Sequence, residues 1–185
     1  MLEKEDCMRI PVRQVIEELD QILAKNQTEE AEKHLEYWLS KARKGNDRSG
    51  ELTVLNEMMG LYRSMGKESE GLQAAEEGLE LLDQMDLKEG VTAGTTWINA
   101  ATTWKAFGQA EKALPLYEKA WRAYSGTLDP ADYRFAGLSN NMALSYADLG
   151  EYAQAGTYYE KAIGIMKKLP QGSMELAVTY VNLAC

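Results

Sequence analysis

Histidine, cysteine and phenylalanine are scarce in this chain of 185 residues, which holds one, two and two of them respectively. The single histidine, His34, has no second His or Cys at metal-ligand spacing, so neither a metal site nor a histidine general base is expected. No glycine-rich phosphate loop and no nucleophile motif is present, and no cofactor is expected. No apolar run approaches the roughly 18 to 20 residues that a membrane span requires. The N-terminus, Met1-Leu-Glu-Lys-Glu-Asp6, is too acidic and polar for a signal peptide, so the expected location is cytoplasmic. Basic charge is also short, with 20 Lys and Arg against 29 Asp and Glu. Residues 49–90 carry ten acids and three bases and hold most of the net charge of -9. Without a basic stripe to meet phosphates, a nucleic-acid partner is excluded.

Glycine supplies the pattern. Gly66, Gly108 and Gly150 are spaced 42 residues apart, closing the strings Tyr62-Arg-Ser-Met-Gly66, Trp104-Lys-Ala-Phe-Gly108 and Tyr146-Ala-Asp-Leu-Gly150. A repeat of this length made of two helices implies a stacked solenoid, an architecture that leaves little room for a closed catalytic pocket. In such an elongated molecule Cys7 and Cys185, at opposite ends, are expected to be free thiols.

Period and punctuation predict about nine antiparallel helices in a single solenoid over 1–185. The helix pairs are 11–45, a degenerate N-terminal repeat, then 49–85, 91–125 and 131–169, with 173–185 as the first helix of an incomplete repeat. Pro11 suits a first helical position and opens the stripe Val12, Val15, Ile16, Leu19, Ile22 and Leu23. Pro115 falls inside the sixth helix and predicts a modest bend.

These residues carry a resemblance to tetratricopeptide-repeat (TPR) proteins. The first helix of that repeat has an apolar-small pair, an aromatic and a glycine, matched by Ala100-Ala101, Trp104 and Gly108, and by Met142-Ala143, Tyr146 and Gly150. The second helix places small, aromatic and small residues beyond the glycine, matched by Ala113, Tyr117 and Ala120, and by Ala155, Tyr159 and Ala162. Residues 50–84 match more loosely, and Asn26 stands at the turn-glycine place of the first pair. The 42-residue period is about two helical turns longer than the usual one. It resembles the long repeats of kinesin light chains and related bacterial adaptor and regulatory proteins, as does the string Asn140-Asn-Met-Ala-Leu144. The resemblance implies an all-α, right-handed α-α superhelix. Small residues would let helices approach, so a bulky residue at Gly150 should damage folding.

In such repeats the first helices line a concave groove that holds an extended peptide. The resemblance places Asn56, Gly60 and Arg63, then Ile98, Asn99, Thr102 and Lys105, then Asn140, Asn141, Leu144 and Asp148 on that inner face. An Asn amide offers a donor and an acceptor and can pair with a peptide backbone of any sequence. The same asparagines could instead tie neighbouring helices together. Arg63 and Lys105 share one repeat position and would favour an acidic partner. The acidic stretch Glu68, Glu70, Glu76, Glu77, Glu80 and Asp83 reads as a solvated helix face, or as a docking site for a basic partner.

The expected function is therefore a nonenzymatic protein- or peptide-binding scaffold. The alternatives are an oligomerising module or a regulatory fragment of a longer protein. Leu176, Tyr180 and Leu183 of the ninth helix form an apolar face without a covering second helix, the expected contact of a homodimer. If that face drives association, Leu183→Glu releases monomers. An unaltered sedimentation coefficient would reject the interface.

Overall fold

The computed structural model describes residues 8–168 and Thr179. Eight helices follow one another: α1 (Val12–Leu23), α2 (Thr28–Lys44), α3 (Arg48–Met65), α4 (Glu68–Gln84), α5 (Gly90–Ala106), α6 (Ala110–Ser125), α7 (Tyr133–Asp148) and α8 (Tyr152–Met166). All regular structure among the described residues is helical. The expected ninth helix, with Leu176, Tyr180 and Leu183, lies outside them except for Thr179, which is helical and buried. The chain divides into two compact units, Met1–Asp86 and Leu87–Cys185.

Each helix hairpin closes through one local device. Gly66, Gly108 and Gly150 adopt φ of 66°, 77° and 76°, a left-handed conformation that costs glycine little. Their successors then donate backwards across the turn: Lys67 N to Tyr62 O (3.0 Å), Gln109 N to Trp104 O (2.8 Å) and Glu151 N to Tyr146 O (2.8 Å). The accepting carbonyl in each case belongs to the repeated aromatic. This bond satisfies one of the last carbonyls that every helix leaves without an internal partner. Asn26 and Asn46 reproduce the geometry at φ of 57° and 52°, with Gln27 N donating to Ile22 O and Asp47 N to Ala42 O.

In the first unit, Val15 and Leu19 of α1 pack toward Ala31, Leu35 and Leu39 of α2, all buried. Asp47 caps α3 by accepting from Gly50 N at 3.0 Å, and its other oxygen accepts from Ile10 N at 2.8 Å. One buried carboxylate therefore starts α3 and anchors the segment before α1. His34 joins α2 to α1 by donating from Nε2 to Val15 O at 2.9 Å, a structural use of the ring.

In the second unit the small and aromatic residues of the repeat form the helix contacts. Ala113, Tyr117 and Ala120 of α6, and Ala155, Tyr159 and Ala162 of α8, are all buried. The closest approach is at Gly94, where a Cβ would lie 2.2 Å from the Tyr124 ring. Phe135 of α7 packs between Trp121 and Tyr124 of α6, at centroid distances of 5.0 and 5.9 Å. α6 continues through the exposed Pro115. Hydroxyls of the buried Thr96, Thr103, Ser139 and Ser145 donate to the carbonyl four residues earlier, so the core carries them without orphan donors.

The reason for glycine at 150 differs from the expected one. Nothing lies within 4 Å of a Cβ built there, so the requirement is the positive φ and not close packing. Gly150→Ala and Gly150→Leu should therefore cost nearly the same, about 1 to 2 kcal/mol for the left-handed backbone. Urea denaturation checks this; a far larger loss for leucine would reveal a packing clash.

Candidate functional site

The 3.6-residue period gives α5 and α7 two faces each. Ala93, Thr96, Ala100, Ala101 and Thr103 of α5 point into the core, as do Leu138, Ser139, Met142, Ala143 and Ser145 of α7. The residues between them reach the surface. Ile98, Asn99, Thr102 and Lys105, with Asn140, Asn141 and Leu144, are half-buried, and Asp148 is exposed. Lys105 Nζ lies 3.1 Å from Asp148 Oδ2, so the two helices meet at this face.

That ion pair changes the chemistry expected of the site. Lys105 is matched by Asp148 within the chain, and the face presents a neutralised pair where the sequence suggested a cation. Thr102 is also engaged, with its hydroxyl 3.1 Å from the Tyr117 hydroxyl on α6. Asn99 is bonded within the chain as well. The two adjacent amides of α7 differ. Asn140 Oδ1 is buried and has no hydrogen-bond partner, and the Asn141 side chain has none among the described residues. An unsatisfied buried polar atom costs about 1 to 3 kcal/mol, so Asn140 holds an acceptor that a donor would stabilise.

The first-unit candidates sit on α3. Asn56 Nδ2 donates to Leu52 O at 2.9 Å, within its own helix, and Arg63 is engaged within the chain. Gly60 lies half-buried between them. Glu57, not singled out from the sequence, is half-buried here; burial pushes its carboxyl up, and the charge of Asp20 adds to the effect. Its only sequence signal is its place among the apolar residues Leu55, Met58 and Met59.

A second titratable cluster surrounds Tyr62. Its phenol is pushed from 10.0 up to about 12, first by burial and then by Glu32, Glu36 and Glu70. Lys67 Nζ reaches both oxygens of Glu32, at 2.7 and 2.6 Å, and lies 5.9 Å from the Tyr62 ring centroid. The bond to Glu32 raises the Lys67 ammonium. Among the described residues no group of three His, Cys, Asp or Glu could hold a metal ion, and no helix is long and apolar enough to cross a membrane.

Helix hairpins closed by left-handed turns, with small residues at the contacts and aromatics between pairs, define a solenoid fold of the TPR type. No protein-family model and no curated protein matches the sequence. Among solved structures, BtubC (BKLC) from P. vanneervenii is similar with a TM-score of 0.83 at 22% identity, over 93% of this chain and 70% of that one. A kinesin light chain-like protein of Podosopora anserina with nearly identical TPR-like repeats aligns at a TM-score of 0.77 and 20% identity, over 94% and 88% of the two chains. MamA from Desulfovibrio magneticus RS-1 aligns at 0.60 and 15% identity, over 95% and 86%. These likenesses establish the TPR-like fold.

The Tyr62 environment has a consequence at high pH. Unfolding exposes a phenol that ionises near 10.0, while the folded one holds its proton to about 12. The stabilisation is thus complete below the lower value and is lost as pH rises through the higher one. Urea midpoints measured across that range should fall more steeply for the native chain than for Tyr62→Phe. Parallel curves would reject the shift.

Proposed function

We propose that the chain is a nonenzymatic protein-interaction scaffold whose second unit holds an extended peptide against the face shared by α5 and α7. The observation that carries this reading is the adjacent pair Asn140 and Asn141, whose amides retain hydrogen-bonding capacity at a half-buried surface. Rotation of the Asn140 side chain brings its unpaired acceptor to the face, where a peptide N–H satisfies it. Asn141 offers both a donor and an acceptor to the next peptide unit. Ile98 and Leu144 supply apolar contact beside the amides, and the TPR-like fold supports the use of a first-helix face. Asn56, Gly60 and Arg63 of α3 are the corresponding positions of the first unit, where Asn56 and Arg63 are engaged within the chain.

Because Lys105 is paired with Asp148, the ligand selected by the second unit is a neutral backbone with apolar side chains, not an acidic segment. Backbone hydrogen bonds contribute about 0.5 to 1.5 kcal/mol each, so micromolar binding needs several together with the apolar contacts. The reading takes all the helix pairs as one scaffold in the cytoplasm. Self-association through Leu176, Tyr180 and Leu183 rests on the sequence and is tested separately.

A random-peptide display library panned on the full chain supplies ligands for the test. Peptides so enriched should lose about three- to tenfold in affinity for Asn141→Ala, as expected for loss of one such bond. The thermal midpoint should be retained. Equal affinity for both proteins would remove the α5–α7 face from consideration.

A further inference from the structure

The acidic stretch of α4 is not absorbed by the peptide-binding face, and the first unit places part of it beside a cleft. α2, α3 and α4 enclose about 270 Å³, floored by Leu39, Leu55, Met58 and Ala74. Glu36 of α2 and Glu70 of α4 stand on the two rims. Both are exposed, and neither forms a salt bridge among the described residues. The lining cation, Arg43, is already committed, with Nε 2.7 Å from Glu51 and Nη2 bonded to Glu77. Lys67 is held by Glu32. Lys67 is also near enough for Glu36 and Glu70 to raise its ammonium, but one lysine bonded to Glu32 faces three carboxylates, so the rim keeps an excess of negative charge.

An apolar floor under a negative rim fits one kind of guest. Lysine and arginine lay an aliphatic stem along apolar surface and keep the charged head at the edge. Arg43 already behaves this way, lining the cleft while its guanidinium spans Glu51 and Glu77. A neutral apolar ligand would leave the carboxylates unmatched, and a polyanion would be repelled. The negative field also reaches Tyr62 in the wall, where Glu36 and Glu70 both contribute to raising the phenol.

We propose that the cleft between α2 and α4 is a docking site for an arginine or lysine side chain presented by a basic segment of a partner protein. This site is independent of the peptide-binding face. Leu55 and Met58 lie on a different side of α3 from Asn56, Gly60 and Arg63, roughly a third of a turn away.

The test uses the full chain with carbon-13 methyl groups on methionine and alanine, and a capped tetra-arginine peptide as probe. Saturable shifts are expected at Met58 and Ala74, and none with the neutral tetra-citrulline peptide. The double variant Glu36→Gln/Glu70→Gln should bind at least about tenfold more weakly, since the matching rim charges are gone. Glu111→Gln/Glu160→Gln, which removes the same charge from exposed positions of the second unit, should change affinity by less than about twofold. Circular dichroism verifies that both variants fold. Equal weakening in the two variants, shifts confined to other methyl groups, or no saturable binding would each overturn the proposal.

Discussion

The backward hydrogen bond across each left-handed turn is the constraint on which the rest of the structure depends. It links the amide after Gly66, Gly108 or Gly150 to the carbonyl of Tyr62, Trp104 or Tyr146. A helix cannot continue through a residue at positive φ, so the chain reverses at a fixed distance from its last aromatic. The second helix then begins in the same register every time. That register delivers Ala113, Tyr117 and Ala120 in one pair, and Ala155, Tyr159 and Ala162 in the next, to the facing helix. Asn26 and Asn46 perform the same reversal where glycine is absent, at the modest cost of a side chain in the left-handed region.

Once the hairpins are registered, α5 and α7 have no choice about which residues remain outside. Small residues and self-bonded hydroxyls take most core positions of α5 and share those of α7 with Phe135, Leu138 and Met142, since each buried hydroxyl finds a carbonyl one turn earlier. The longer polar side chains are left half-buried beside them. Some settle into bonds within the chain, as Thr102 does with Tyr117 and Lys105 with Asp148. Asn140 does not, and its buried oxygen marks the place where this helix face remains incompletely satisfied.

The two units offer different chemistry. The second presents amides beside a neutralised ion pair. The first concentrates negative charge around apolar surface, and burial acts with that charge to push up Tyr62 and Glu57. One repeat thus carries two different surfaces, because the turn and small-residue positions are constrained while intervening positions vary without disturbing the register.

The sequence by itself determined the helices, the turns and the small-aromatic contacts. Each of these depends on a local property: positive φ at glycine, the 3.6-residue period, or a side chain small enough for helix contact. The resemblance carried by those repeated residues also implied a shared inner face for Ile98, Asn99, Asn140 and Asn141. Only the tertiary structure decided what those residues meet. Lys105 and Asp148 read as separate groups until α5 and α7 come together, and Arg43 acquires Glu51 and Glu77 from two other helices. Glu57 is an ordinary carboxylate in the string, and burial and the charge of Asp20 raise it in the fold. Such pairings join residues far apart in the chain, and their distances and desolvation follow from how the helices pack, which no local spacing encodes.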